Sequence, residues 1–451
     1  MRPNFRLMNA TITGALGGLL YGFDTVVISG MIDPVVRKYA LSPHDMGLTV
    51  AASPVGTIVG CFAAGVIGQR LGARAALRLA AALYLLAALA AAGSVSWPML
   101  LAARFAGGLA IGAASVLGPV YIAELAPAAL RGRLVGAFQI MVVSGILVGY
   151  TSNYLVRLVH AAGRLGIPGA ADWRVMAGVG ALPALVFLIL LFGIPRSPRW
   201  LVARARHDEA LAVLAEMGVP DAPAQLAEIQ SALQAEHATV HEPVFQWKYR
   251  FPLFLAISIG AFNQLTGINA ILSYMHTIFT AAGFSQLSSD QQAIAIGATN
   301  LVFTLVGMAL IDRFGRKSLL IVGAIGTAAC LSGVAWVFAT NTHQSALLEL
   351  LVAFIAFFAL SQGLVAFVYI GEVFPNSVRS KGQGVGNASM SAFNTAILFS
   401  FPVLAHALSP QTPFIFFAAA TVLQLIVVSL FYPETKGHTL EELQSKLVKV
   451  G

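Results

Sequence analysis

Two charges stand where a chain can least accommodate them. Asp24 is the only charged residue between Leu7 and Ile32. At about 1.5 Å of rise per residue that run exceeds about 30 Å, enough to cross the hydrocarbon of a bilayer. An ionised carboxylate at mid-membrane costs roughly 2.5 to 3.5 kcal/mol on insertion scales, so it persists by facing a wet cavity, a cation or a proton. Arg104, in the run LLAARFAGG, is the second deep charge and the expected partner of Asp24. The chemistry such a pair can do is reversible protonation of the acid as the cation comes and goes. Two plainer roles compete with it, a neutral acid kept for helix packing and a permanent ion pair.

A second set of residues is polar but uncharged. Asn263, Gln264, Thr266, Asn269 and Ser273 surround Gly267, where a break in the helix would expose backbone to a cavity. Asn387, Ser391 and Asn394 follow at i, i+4 and i+7, one face of a helix, and Gln139 and Asn300 stand alone in apolar surroundings. Amides and hydroxyls that both donate and accept suit a neutral polyhydroxylated ligand better than formal charge does. The competing role is helix–helix hydrogen bonding, worth roughly 0.6 kcal/mol per contact in membranes.

The elements that must position these groups are membrane helices. The 451 residues are 58 % hydrophobic and 10 % charged, far below the charge of a soluble domain. Apolar runs of spanning length cover about 7–32, 46–69, 75–93, 98–125, 133–157, 174–194, 252–281, 289–311, 318–340, 346–371, 382–406 and 412–432. An all-α membrane protein of twelve transmembrane helices follows. Of the 27 Lys and Arg, Arg37, Lys38, Arg157, Arg164 and Arg174 flank one side, Arg104 is intramembrane, and the rest flank the other. The positive-inside rule then puts both termini in the cytoplasm. The net charge of +8 reports orientation rather than a nucleic-acid partner. Cys61 and Cys330 sit singly in apolar runs, against a disulfide framework or zinc site. His237 and His241 have metal-ligand spacing but no third ligand nearby, so a solvated helix face is expected and no metal or cofactor. The first run is too long for a cleavable signal peptide and reads as the first span.

The expected organisation is a six-helix bundle over 1–198, a cytoplasmic helical linker over 199–250, a second six-helix bundle over 251–432 and a cytoplasmic tail over 433–451. In the linker, HDEALAVLAEMG and APAQLAEIQSALQAEH predict short helices whose apolar stripes (Leu211, Leu214; Leu226, Ile229, Leu233) pack on the bundle. The halves repeat: GQRLGAR at 68–74 answers IDRFGRK at 311–317, Glu124 and Arg131 answer Glu372 and Arg379, and PRSPR at 195–199 answers PETKG at 433–437. Such duplication of a six-helix unit marks secondary transporters.

These strings, with QLTGIN, the Asp-bearing first helix and the closing PETKGHTLEEL, resemble over nearly the whole chain the sugar porter family of the major facilitator superfamily. Asp24 makes the chain more similar to bacterial proton-coupled monosaccharide symporters than to facilitative carriers, which usually have an amide there. The resemblance implies two pseudo-symmetric bundles, an inner-membrane location, a monomer, and uptake of a monosaccharide with a proton by alternating access rather than enzymatic chemistry. In it, Asp24 takes a proton and releases Arg104 in the outward-facing form and gives the proton up in the inward-facing form. A uniporter of the same fold, with Asp24 structural, is the alternative. A membrane enzyme would need a cluster of His, Asp or Ser at one membrane face, and none is evident in the sequence.

By resemblance, Gln139, Gln264, Asn269 and Asn300 contact sugar, with Tyr21 as an aromatic neighbour. Asn263 shortens the first arm of a glutamine pair, Phe367 stands for a tryptophan of the tenth helix, and the tryptophan of the eleventh is replaced near Ser391. The cytoplasmic gate is expected from Glu124, Arg131, Glu372 and Arg379, extended by Arg70, Arg74, Asp312, Arg313, Arg316 and Lys317. Gln69, Ala73 and Arg196 depart from the family pattern and weaken the amino-terminal latch.

Overall fold

The computed structural model describes residues 4–127, 130–163, 172–238, 243–375 and 378–436. His241 and most of the expected tail lie outside them, as do the side chains of His237 and Asp312. Among the described residues every regular element is helical. Twelve helices are long and apolar enough to cross a bilayer: Phe5–Tyr39, Pro43–Leu71, Ala73–Ala92, Trp97–Leu125, Arg131–Ala161, Asp172–Leu190, Trp247–Ser273, Gln286–Ile311, Arg316–Thr340, Ala346–Glu372, Lys381–Ala407 and Thr412–Phe431, here the first to twelfth spans. The chain is thus a multi-pass integral membrane protein. Phe62, Leu86, Phe192 and Leu430 leave most of their side chains uncovered, as a lipid-facing surface requires.

The chain divides into two compact units. The first draws on Met1–Val27, Ala52–Ser152 and Gly166–Val240, the second on Ile28–Ala51, Asn153–Leu165 and His241–Gly451. The far ends of the first, second and fifth spans therefore group with the second half of the sequence.

In the first unit, the second and fourth spans cross at two small-residue pairs four apart, Gly56 with Gly60 and Gly108 with Gly112. A Cβ on Gly108 would strike the Ser53 carbonyl, and one on Gly56 the Phe105 carbonyl. Such glycines let membrane helices approach backbone to backbone. The crossing places Ser53 and Arg104 one turn from the contact, which is how the site below is held. Leu77, Tyr84, Ile111, Tyr121 and Phe187 are fully or nearly buried in this unit's core. The predicted linker helices are present as His207–Glu216 and Ala222–Ala238. Leu226, Ile229 and Leu233 pack on Leu201, Val202 and Ala210 within the linker, where the bundle was the expected partner, and Met217, outside the expected stripes, joins the core of the unit.

In the second unit the seventh span breaks where Gly267 predicted. The helix Arg250–Leu265 stops, Gly267 takes φ 78°, and Ile268–Ser273 resumes the span. The Phe417 ring occupies the space a Cβ on Gly267 would need, so both conformation and packing demand glycine. The apolar run expected to continue to 281 is interrupted again at Tyr274, and Met275–Ala281 is a separate helix.

Candidate functional site

Asp24 lies in the first unit, its side chain 14 % exposed, and receives donors from three other spans. Ser53 of the second span donates its hydroxyl to Oδ2 at 2.6 Å. Tyr84 of the third donates to Oδ1 at 3.4 Å. Arg104 of the fourth, 6 % exposed, brings Nη2 to 3.6 Å from Oδ2. The expected acid–base pair is therefore present, and it is loose. An O–H···O⁻ bond of 2.6 Å belongs to the short, charge-assisted class, whereas 3.6 Å is beyond a direct hydrogen bond. Arg104 supplies field at the carboxylate while Ser53 supplies the close contact, an arrangement in which a proton can replace the cation's share without rebuilding the site.

Ser53 and Tyr84 were not singled out from sequence. Serine and tyrosine in apolar runs are common, and what marks these two is an acid 29 and 60 residues away.

The amides of the seventh span form one hydrogen-bonded string in the second unit. Asn269 Nδ2 donates to Gln264 Oε1 at 2.9 Å, Gln264 Nε2 to Asn263 Oδ1 at 2.8 Å, and Asn263 Nδ2 to the Gln362 carbonyl at 3.1 Å. Gln362 Nε2 continues to Gln424 Oε1 at 2.7 Å, adding two residues that sequence reasoning missed. Each side-chain link fixes which end of the next amide is donor, while the bond from Asn263 ends on the Gln362 backbone, so Asn269, Gln264 and Asn263 present defined acceptors and donors beside the Gly267 break. Asn300 is buried and takes a bond from Thr304 at 3.4 Å, and Ser273 is buried too. Asn394 is half-buried with an Oδ1 lacking any hydrogen-bond partner, Asn387 and Phe367 are exposed, and Gln139 and Tyr21 are half-buried in the first unit.

The charged corners resolve differently from the spacing. Glu372 pairs with Arg316 at 3.0 Å and accepts from Thr435 at 2.6 Å, while Arg379 turns its Nε to the Phe374 carbonyl at 3.4 Å. Glu434, outside the spans, accepts the backbone N–H of Arg316, Lys317, Thr435 and Lys436. Burial pushes its carboxyl up, but these four donors outweigh it and hold the group below the usual glutamate range. In the first unit Arg74 donates to the Ile194 carbonyl at 2.8 Å, and Arg204 to that of Arg70 at 3.0 Å. Arg131 and Arg313 are exposed.

One cluster was not evident in the sequence. A cluster of His and Asp does exist: His276, Asp290 and Asp33 come together with Arg157. These residues lie on four separate helices, which is why the sequence hid them.

The profile of the family described as "Sugar (and other) transporter" matches residues 10–447, and the chain belongs to this family of membrane carriers. The arabinose-proton symporter of Bacillus subtilis is 33 % identical over 437 residues, 96 % of this chain and 93 % of that one. The D-xylose-proton symporter of Escherichia coli K12 is 32 % identical over 484 residues, 97 % and 95 % of the two chains. An inward-open structure of the xylose transporter of E. coli superposes with a TM-score of 0.86 at 30 % identity, covering 98 % of this chain and 100 % of that one. The architecture is thus that of the major facilitator superfamily, and the chain is a transporter rather than an enzyme.

Proposed function

We propose that this chain imports a neutral monosaccharide together with a proton by alternating access, across a bacterial inner membrane with both termini in the cytoplasm. The observation that carries the reading is the half-buried Asp24 carboxylate, held by Ser53 and Tyr84 and paired with Arg104 at 3.6 Å. An ionised acid in this position is tolerable while the guanidinium is near, and a proton is its natural substitute when the two separate. Facing the outside, Asp24 takes a proton and Arg104 is released. Facing the cytoplasm, the proton leaves and the pair re-forms. Asn263, Gln264, Asn269 and Asn300, with Gln139 and Tyr21 from the first unit, contact the sugar, and the string from Asn269 to Gln424 orients the amides before it arrives. Glu124, Arg131, Glu372 and Arg379 belong to the cytoplasmic gate, with Arg316 as the partner that fixes Glu372. The relatives named as sugar–proton symporters support symport over uniport.

The decisive measurement uses a pH electrode in a weakly buffered suspension of vesicles holding the protein. Addition of a transported pentose or hexose alkalinises the medium if proton and sugar move together. Sugar entry with no pH change would establish the uniporter instead. The sugar itself is found by counterflow against a panel of pentoses, hexoses and polyols.

A further inference from the structure

A second ionisable cluster lies in the other unit and plays no part in the site above. His276, on the helix Met275–Ala281, is 1 % exposed. Its Nδ1 lies 2.8 Å from Asp290 Oδ1 of the eighth span, and its Nε2 lies 3.7 Å from Asp33 Oδ2 of the first. Asp290, 3 % exposed, is also paired with Arg157 of the fifth span. Arg157, 7 % exposed, reaches Gln286 through Nη1 and the Gly30 carbonyl through Nη2, both at 3.0 Å. The backbone N–H of His276 donates to Ser29 Oγ at 2.9 Å. Four helices from both halves of the duplicated sequence are tied at this one point.

The donor count exposes a vacancy for one proton. Asp290 and Arg157 cancel in charge. Asp290, ionised, can only accept, so the proton of a neutral His276 must sit on Nδ1. Nε2 would then turn a bare lone pair toward the carboxylate of Asp33, and that buried nitrogen has no hydrogen-bond partner. A proton on Nε2 converts repulsion into attraction and leaves an imidazolium between two carboxylates, matched by Arg157 behind one of them. The groups facing His276 are Asp33 from the first span and Asp290 from the eighth, with Arg157 from the fifth beyond Asp290.

We propose that His276 is a second proton-binding site, separate from Asp24, and that its protonation closes a latch of Asp33, Arg157, His276 and Asp290 within the second unit. The proton comes from water and stays on Nε2. The closed latch is favoured as pH falls, because the bound proton adds an attraction that exists only while the helix ends are together. The latch loosens as the imidazole deprotonates. Acid thus holds these helix ends together independently of coupling at Asp24.

Thr277 supplies the reporter, since its Oγ1 is buried and has no hydrogen-bond partner to lose. Thr277→Cys is introduced with Cys61→Ser and Cys330→Ser, and maleimide labelling of the purified protein in detergent is timed at about pH 5.5 and about pH 7.5. The same rates are measured with His276→Gln added, and the ratio of the two chains at each pH removes the pH dependence of the thiol itself. The ratio of the Gln to the His chain should be at least about threefold greater at the lower pH. An equal ratio at both overturns the proton site. Arg157→Gln should speed labelling at both pH values, and unchanged labelling overturns the latch. If either variant fails to give a monodisperse protein, Asp33→Asn, at a partly exposed position, must flatten the pH response of the reporter chain, and an unaltered response rejects the proposal.

Discussion

The two inner corners of the duplicated chain have the same backbone and different chemistry. Gly72 and Gly315 take φ 82° and 87° at equivalent turns. Tyr121 donates to the Pro195 carbonyl at 2.9 Å, as Tyr369 does to that of Pro433 at 3.1 Å. In the second half Glu434 then caps the helix Arg316–Thr340 through the N–H groups of Arg316 and Lys317. In the first half Arg196 stands at the equivalent place, its guanidinium 5.5 Å from the centre of the Trp200 ring, and the helix Ala73–Ala92 starts without a side-chain cap. The Trp200 ring fills the space over Gly72 instead. Glycine and tyrosine therefore set the turn, and a carboxylate on the helix terminus is an addition that one half keeps and the other has exchanged for an aromatic plug.

The middle of the membrane reverses the contrast. The offsets of the three repeated motifs put the counterpart of Asp24 between Phe262 and Leu272, where Asn263, Gln264, Thr266 and Asn269 are polar and no side chain is charged. On the proposed function, coupling charge belongs to the first half and neutral hydrogen bonding to the second. The first half holds its carboxylate by mixed contacts from a hydroxyl, a phenol and a guanidinium, and the second holds its amides in a hydrogen-bonded string.

The strongest test of that division is Asp24→Asn, which makes the first half resemble the second. Accumulation against a gradient should disappear, with sugar-induced alkalinisation, while counterflow stays within about threefold. Retained accumulation of labelled sugar would remove Asp24 from coupling. Gln264→Ala cuts the string at its centre and strands Asn263 and Asn269. An unpaired buried polar group costs about 1 to 3 kcal/mol, so KM should rise about ten- to hundredfold in initial-rate uptake, with alkalinisation per sugar unchanged.

The corner comparison carries smaller effects. Because Glu434 is held below its ordinary range of 4.5 in the folded protein, its contribution to stability is complete above that value and is lost as pH falls through the depressed one. The melting temperature of the native chain should therefore exceed that of Glu434→Gln by a constant margin near neutrality, and the two should converge under acid. A margin independent of pH would mean that the carboxylate's charge is irrelevant. Arg196→Glu sharpens the comparison from the other side by offering the first corner a cap. A gain of about 0.5 to 1 kcal/mol is expected, read as a rise of a degree or two in detergent, since the cap replaces a stacked guanidinium. No rise would show that Trp200 has closed the corner to a carboxylate.

Much of the molecule was legible because a bilayer penalises mistakes. Twelve apolar runs, the break at Gly267, and Asp24 with Arg104 as the two deep charges follow from spans that must satisfy their own backbone and charges that must be partnered. The gates were legible only as motifs. Equal spacing marked Glu124 with Arg131 and Glu372 with Arg379 as repeated gate motifs, and in three dimensions Arg316 takes the Glu372 carboxylate. Gln362 and Gln424 were silent because an amide in an apolar helix is as often glue as a ligand.

The sequence by itself determined that the chain crosses a membrane as a duplicated bundle and that the acid in its first span needs a wet cavity, a cation or a proton, since length, hydropathy and the energetics of charge in lipid act locally. Tertiary structure alone decided which hydroxyls touch that acid, how the amides are strung, and that His276, Asp290, Asp33 and Arg157 meet. Those contacts join residues from separate helices at hydrogen-bond range, a distance set by how glycine-lined helices cross and not by any spacing along the chain.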